Sequence, residues 1–249
     1  MNPIEIERVE KTDFQIRLAS ESESALGKYR SISVGRGSLL AYELACWMLA
    51  PMPGALGYFF RSKIYPRLLR SAGRGLVMGR NVCLRHPGRI RLGGGVIVDD
   101  DCVLDAKGDS ELGIAIGDGV ILGRNTILNC KGGDIEIGGN TNISANCMLL
   151  SESRLCIGEN VLIAGMTYIV AGGNHGIERT DIPIISQPCR SKGGVTIGNN
   201  CWLGANVTIL DGVTIGRDSI IGAGAVVTES IPEFAIAVGV PARVIKMRK

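Results

Sequence analysis

The chain has 249 residues, a formal net charge of +3, 35 glycines and only 4% aromatic residues. That length suits one large domain, or one domain with a smaller appendage, and the mild charge with no nucleic-acid motif excludes an electrostatic nucleic-acid binder. Abundant glycine beside plentiful aliphatics predicts an all-β architecture with many tight turns.

Eight cysteines without a C-x-x-C pair, and an opening MNPIEIERVEK that lacks a signal-peptide pattern, predict a reducing cytoplasmic setting. Residues 1 to 35 are polar and mixed, as an arm would be. Leu39 to Ala50 reads as a short helix, and Gly57 to Ala72 as an amphipathic basic segment carrying Arg61, Lys63, Arg67 and Arg70. The apolar run from Leu39 to Phe60 is broken by Glu43, Pro51, Pro53 and Gly54, so neither half reaches the about 20 residues of a spanning helix. Residues 1–72 are therefore expected to form an N-terminal extension. It either caps a repeat domain or makes peripheral contact with the inner face of a membrane through residues 39–72; the cap is favoured because a solenoid must cover its open end.

From Gly73 onward the organisation is periodic. Ile197, Leu203, Ile209, Ile215, Ile221 and Val227 fall at unbroken six-residue intervals, and four positions after each stands Cys201, Val207, Val213, Ser219, Ala225 or Ile231. Upstream the template recurs in threes: Leu92, Val98, Leu104; Ile116, Leu122, Leu128; Ile137, Ile143, Leu149; Ile157, Ile163, Ile169. Both positions must point inward, which explains several cysteines as core fillers. Three hexads close one triangular coil, and the corners IGDG, IGGN, IGEN and IGNN supply Gly, Asn or Asp where a bend demands positive φ. Coils then stack their short strands in parallel. Coil starts at Leu92, Ile116, Ile137, Ile157, Ile197 and Ile215 exceed the ideal step by small amounts except once. The connection over 171–194, AGGNHGIERTDIPIISQPCRSKGG, is far too long for a corner, and long insertions in compact folds usually carry function. It holds His175, one of two histidines in the chain; the other, His86 in an RHPG turn, reads as structural.

The repeat, this loop and the stretch IGNNCWLGANVTILDGVTIGRDSIIGAGAVVTESIPEFAIAVGVPARVIKMRK together resemble the hexapeptide-repeat acyltransferases, a group that includes galactoside, maltose and polysaccharide-pathway O-acetyltransferases. The resemblance covers roughly residues 73–249. It implies a left-handed parallel β-helix, a homotrimer with sites between subunits, and acetyl-coenzyme A as acyl-donor co-substrate with no metal.

It further implies that a sugar or surface-glycan hydroxyl attacks the thioester directly. His175 would be the general base, because an imidazole near its ordinary pKa is largely neutral at cytoplasmic pH. Glu178, Asp181 or a backbone carbonyl are candidates to orient it. Ala205 matches the family position whose N–H meets the oxyanion and coenzyme, and Trp202 is expected to wall the acyl pocket. Ala223 and Thr228 match positions along the pantetheine arm, and Arg243 and Lys246 are the cations for the phosphates. Ser144 and Glu152 fall where galactoside acetyltransferases have an asparagine and an aspartate that touch the sugar; both are substitutions. N-transfer to an amino sugar or amino acid is the alternative activity, and a non-catalytic β-helix scaffold the second. A γ-type carbonic anhydrase would need three histidine ligands, more than the chain holds.

Overall fold

A computed structural model describes residues 24–34, 37–108 and 112–249. Most of the expected polar arm, residues 1–23, lies outside the described residues. Its last stretch is a helix, α1, Ala25–Ser33, rather than irregular chain: the Ser24 side chain caps it by accepting from Gly27 N–H at 3.1 Å, which satisfies an otherwise orphaned donor of the first turn. Two further helices follow, α2 at Leu39–Leu49 and α3 at Gly54–Ile64. The basic segment expected over 57–72 thus begins earlier and ends sooner. Pro66 lacks the N–H that a continuing helix needs, the chain tightens into a 3-10 turn at Tyr65–Arg67, and Ser71–Ala72 is already a strand.

Beyond that point the chain winds as a left-handed parallel β-helix. Among the described residues its strands form three sheets of seven, nine and seven members, each sheet being one face of a triangular prism. Register turns the six-residue repeat into vertical columns. In the first sheet Leu92, Ile116, Ile137, Ile157, Ile197 and Ile215 lie in successive partnership. Val98, Leu122, Ile143, Ile163, Leu203 and Ile221 do so in the second, and Leu104, Leu128, Leu149, Ile169, Ile209 and Val227 in the third. One coil precedes those visible in the sequence pattern: Ala72, Met78 and Leu84 pair with Leu92, Val98 and Leu104. Its residues keep the six-residue interval, but alanine and methionine at two of the three positions hide it from a count of branched aliphatics.

The fourth positions point inward as required. Val96, Cys102, Val120, Thr126, Thr141, Val207 and Ala225 are fully buried. A buried hydroxyl needs a partner, and each has one: Thr126, Thr141 and Ser219 donate to the carbonyls of Ser144 (3.0 Å), Gly158 (2.8 Å) and Pro232 (2.8 Å). Burial also pushes the Cys102 thiol up to about 11 and that of Cys130 to about 12, as expected for inert core fillers. Corners take the left-handed conformation, with Asn140, Asn160 and Asn200 at φ 57°, 57° and 58°.

The helices cover the first coil. Ala45, Leu49, Tyr65 and Leu69 join its apolar core, the Asn81 N–H donates to Ala50 O at 2.8 Å, and the His86 N–H to Ser33 O at 2.8 Å. Arg61, expected on an exposed basic face, is instead buried: its guanidinium donates to the carbonyls of Met78, Leu49 and Met52 at 2.9, 2.9 and 2.7 Å. These three bonds satisfy the last carbonyls around α2 and tie α3 to the first coil. Among the described residues no helix is long and apolar enough to cross a membrane.

Candidate active site

Strand Tyr168–Ala171 ends the third sheet of one coil, and Val195–Ile197 begins the first sheet of the next. The intervening loop leaves the prism and folds back as a two-stranded stem. His175 and Cys189 bridge antiparallel, Gly176 N–H donates to Pro188 O at 2.9 Å, and Arg190 N–H to Asn174 O at 2.8 Å. His175 therefore sits in the stem, exposed to solvent, rather than at the tip. The tip is closed by buried Gln187, which donates to Arg179 O at 2.7 Å and accepts from Arg179 N–H at 3.2 Å.

Two carboxylates from the prism hold the feet of this stem. Asp211, buried at the corner below Ala171, accepts from Asn174 Nδ2 at 2.6 Å, Lys192 N–H at 2.6 Å and Gly194 N–H at 2.9 Å. Glu152, one coil above, accepts from Gly173 N–H at 2.8 Å through Oε2, and its Oε1 meets Lys131 Nζ at 3.3 Å. A carboxylate bonded by several N–H groups is among the stronger hydrogen-bonding arrangements available. Together they fix the residues on both sides of His175. Partial burial, and then the Glu152 carboxylate 3.8 Å from its sulfur, hold the Cys189 thiol above its ordinary value.

Two of the three candidates for orienting the imidazole, the side chains Glu178 and Asp181, have partners of their own. Glu178 accepts from the N–H of Ile177 at 3.0 Å, and Asp181 pairs with Arg179, whose guanidinium lowers its pKa. Asp211 and Asn174 escaped the sequence reading. The signal available for Asp211 is an acid standing 17 residues after Gly194, about one coil on, and so directly beneath the loop.

The remaining predicted residues occupy two corners of the prism. Ser144 and Ala205 lie at the corner between the second and third sheets. There Ser144 N–H donates to Ile163 O and Gly204 N–H to Ile221 O, each at 2.8 Å, and Ala205 O accepts from Gly224 N–H at 2.8 Å. Ala205 and Ala223 are thus successive rungs. A Cβ on Gly204 would fall 2.5 Å from Ala223 N, so only glycine lets the two coils approach this closely. The Ala205 N–H makes no hydrogen bond to another described residue. Trp202, half exposed, faces outward on the second sheet between Leu162 and Ile220.

Thr228 belongs to the other corner, the one that carries the His175 loop. The carbonyl of its neighbour Val227 accepts from Leu210 N–H at 3.1 Å, next to Asp211. Arg243 reaches the same region by pairing with Glu229 at 3.4 Å, and its own carbonyl neighbour Ala242 accepts from it at 3.0 Å. Lys246 is exposed on the final antiparallel strand, opposite Ile236. Within one chain, then, His175 and Thr228 share one side of the third sheet, while Ala205, Ala223 and Ser144 share the other; the backbone of Arg243 stands with the latter, opposite Val238 beside Gly222, and only its guanidinium reaches across toward Glu229. A cleft of about 420 Å³ lies elsewhere, between α3 and the first coils, against Tyr58, Arg61, Arg80 and Asp100. Among the described residues no group of three or more His, Cys, Asp or Glu side chains converges to hold a metal.

Residues 194–229 match the family model for the bacterial transferase hexapeptide, six repeats. Over 117 residues the chain is 41% identical to galactoside O-acetyltransferase of Escherichia coli, covering 46% of this chain and 55% of that protein. It is 32% identical over 214 residues to a probable acetyltransferase of Mycobacterium tuberculosis, covering 82% of this chain and 62% of the relative. The chain therefore spans less than two thirds of either relative. A solved galactoside acetyltransferase in complex with coenzyme A shares the fold, with a TM-score of 0.50 and 23% identity over 96% of this chain and 92% of that one. The stacked hexads and three-faced prism are thus those of a hexapeptide-repeat β-helix, and over residues 194–229 the chain carries the bacterial transferase hexapeptide repeat.

Proposed function

We propose that the protein transfers an acyl group, acetyl in the first instance, from acyl-coenzyme A to a hydroxyl of a sugar or surface-glycan precursor, with His175 as general base. The observation that carries this reading is the anchored loop. A histidine stem is held at both feet by Asp211 and Glu152, on the repeat of a transferase family.

In this mechanism the acceptor O–H gives its proton to the neutral imidazole as its oxygen attacks the thioester carbonyl. The tetrahedral oxyanion takes a hydrogen bond from the unpartnered Ala205 N–H. Collapse breaks the C–S bond, and the imidazolium returns the proton to the departing thiolate. No covalent enzyme intermediate is needed. Ala223 and Thr228 line the path of the pantetheine arm, Arg243 and Lys246 meet the phosphates, and Trp202 borders the acyl group. Glu152 is already bonded to Gly173 and Lys131, so in this reading it acts on the loop more than on the sugar, leaving Ser144 as the freer acceptor contact.

Because Ala205 and His175 lie on opposite sides of one face, the site is completed in a homotrimer, where His175 of one subunit meets the Ala205 corner of the next. The outward column Ile97, Ile121, Asn142, Leu162, Trp202 and Ile220 on the second sheet, apolar but for Asn142, gives the face that such an interface buries. Sedimentation as a stable monomer would contradict this assembly.

The activity is tested by thiol release from acetyl-coenzyme A with a panel of sugars and one amino sugar. His175→Ala is expected to lower kcat by about 10²- to 10⁴-fold with an unchanged circular dichroism spectrum. Transfer unaffected by that change would remove the base assignment, and turnover confined to the amino sugar would replace O-transfer by N-transfer.

A further inference from the structure

Helices α2 and α3 use one face each to cover the first coil. On α2 the buried residues are Tyr42, Ala45 and Leu49, and on α3 they are Gly57 and Arg61. A cap of this kind ordinarily turns a polar face to water. Here the opposite face is apolar too. Leu40, Leu44, Trp47 and Met48, at helical spacing on α2, are exposed, with Trp47 at 77%. On α3 Leu56, Phe59 and Phe60 are exposed, with Leu56 at 69%, and the two phenylalanine rings meet edge to face at 5.6 Å. Lys63 continues that stripe, and Arg67 donates to its carbonyl. Adjacent apolar stripes on two packed helices make a patch of the kind that marks an interaction site.

The segment that carries the patch is charged almost wholly with one sign, and the acids of the coils beside it, Asp99 and Asp100, line the cleft behind Tyr58 with Arg80, whose N–H donates to Asp100. Between Ser24 and Arg80 the sequence carries a single acid, Glu43, against nine lysines and arginines. That acid is engaged by the Tyr29 hydroxyl at 2.6 Å. Lys63, Arg67 and Arg70 are all exposed. A second copy of the chain is a poor occupant, since a two-fold contact would set this basic rim against itself. An anionic bilayer suits it on every count. Lysine and arginine reach the headgroups, Trp47, Tyr58 and the two phenylalanines suit the interfacial layer, and helices of 11 residues lie in that layer without spanning it.

We infer that the outer face of α2 and α3 is a docking surface for a membrane rich in anionic phospholipid, so that the prism stands on the bilayer by its capped end. This stands apart from the chemistry proposed for His175 and holds or fails without it.

The test is co-sedimentation of the full chain with phosphatidylglycerol–phosphatidylcholine vesicles, against phosphatidylcholine vesicles alone. Binding is expected only to the anionic vesicles, weakening with added salt. In a Trp202→Phe background, Trp47 emission is expected to shift to the blue on binding. Lys63→Glu with Arg67→Glu is expected to weaken binding at least about tenfold, as is Leu40→Ser with Trp47→Ser and Phe59→Ser. The charge pair keeps the test decisive should the apolar triple variant fail to fold. Three results would overturn the inference: no pelleting of the wild type with anionic vesicles, pelleting indifferent to the charge pair, or a drop in sedimentation coefficient of the triple variant in lipid-free buffer, which would assign the patch to a second copy.

Discussion

The prism and the loop that interrupts it are held together by different means. In the prism, each rung repeats the one before, and the columns through Ile157 and Ile197 or Ile163 and Leu203 are secured by shape and backbone pairing. No single polar side chain decides their position. In the loop, almost nothing repeats, and its placement depends on two carboxylates and a short antiparallel stem. Redundant apolar contact thus builds the scaffold, and a few specific hydrogen bonds aim the histidine.

That contrast can be broken from either side. Leu122→Ala, in the same fully buried column as Ile163 and Leu203 but away from the loop and from the Trp202–Ala205 corner, is expected to cost about 2–5 kcal/mol of unfolding free energy, read by urea denaturation. Turnover per folded molecule should stay near wild type, since the loop is untouched. A loss of turnover without loss of stability would mean that the column also aims the site.

Asp211→Asn works in the opposite direction. It keeps the shape but points an amide N–H at backbone donors, for a local cost of about 1–3 kcal/mol. The expected result is roughly a tenfold fall in kcat at unchanged KM for acyl-coenzyme A, and faster tryptic cleavage after Arg179 and Arg190, with the melting temperature of the prism unmoved. The protease readout reports loop anchoring whether or not His175 is the base. Labelling with a thiol reagent sharpens the same point: exposed Cys189 should react ahead of Cys102 and Cys130, and Asp211→Asn should quicken Cys189 alone.

The smallest effect belongs to the seam between cap and prism. Burial lowers the pKa of His86, so the folded state holds that proton less readily than the unfolded chain does. Stability is therefore full above the ordinary histidine pKa of about 6.5, declines as pH falls below it, and levels off under the folded-state value. His86→Asn, which tolerates the left-handed conformation seen at φ 52°, should flatten the melting temperature between those limits.

Much of the scaffold was legible because its physics is local and periodic. A six-residue column needs an aliphatic at one place and a left-handed corner at another, and Ile137 with Asn140, or Ile157 with Asn160, carry both in the sequence. The first coil was missed where Ala72 and Met78 replace the branched aliphatics. Helix α1 was missed because its sequence is polar and only its Ser24 cap marks it. The loop was found by counting, and His175 with it. Its anchors were not, because Asn174 and Asp211 are 37 residues apart and no periodic rule relates the loop's interior to the coil below. The same limit hid the division of the predicted residues between two corners, which follows from the prism's cross-section and not from spacing along the chain.

The register of the first sheet runs unbroken across the insertion. Cys156 still faces Thr196, and Ile157 still faces Ile197, as though the 172–194 segment were absent. A thread of this kind keeps count of turns and ignores how much chain is paid out at a corner. Each corner is then a mounting point, and segments of unrelated length and chemistry can be exchanged there without retuning the screw beneath them.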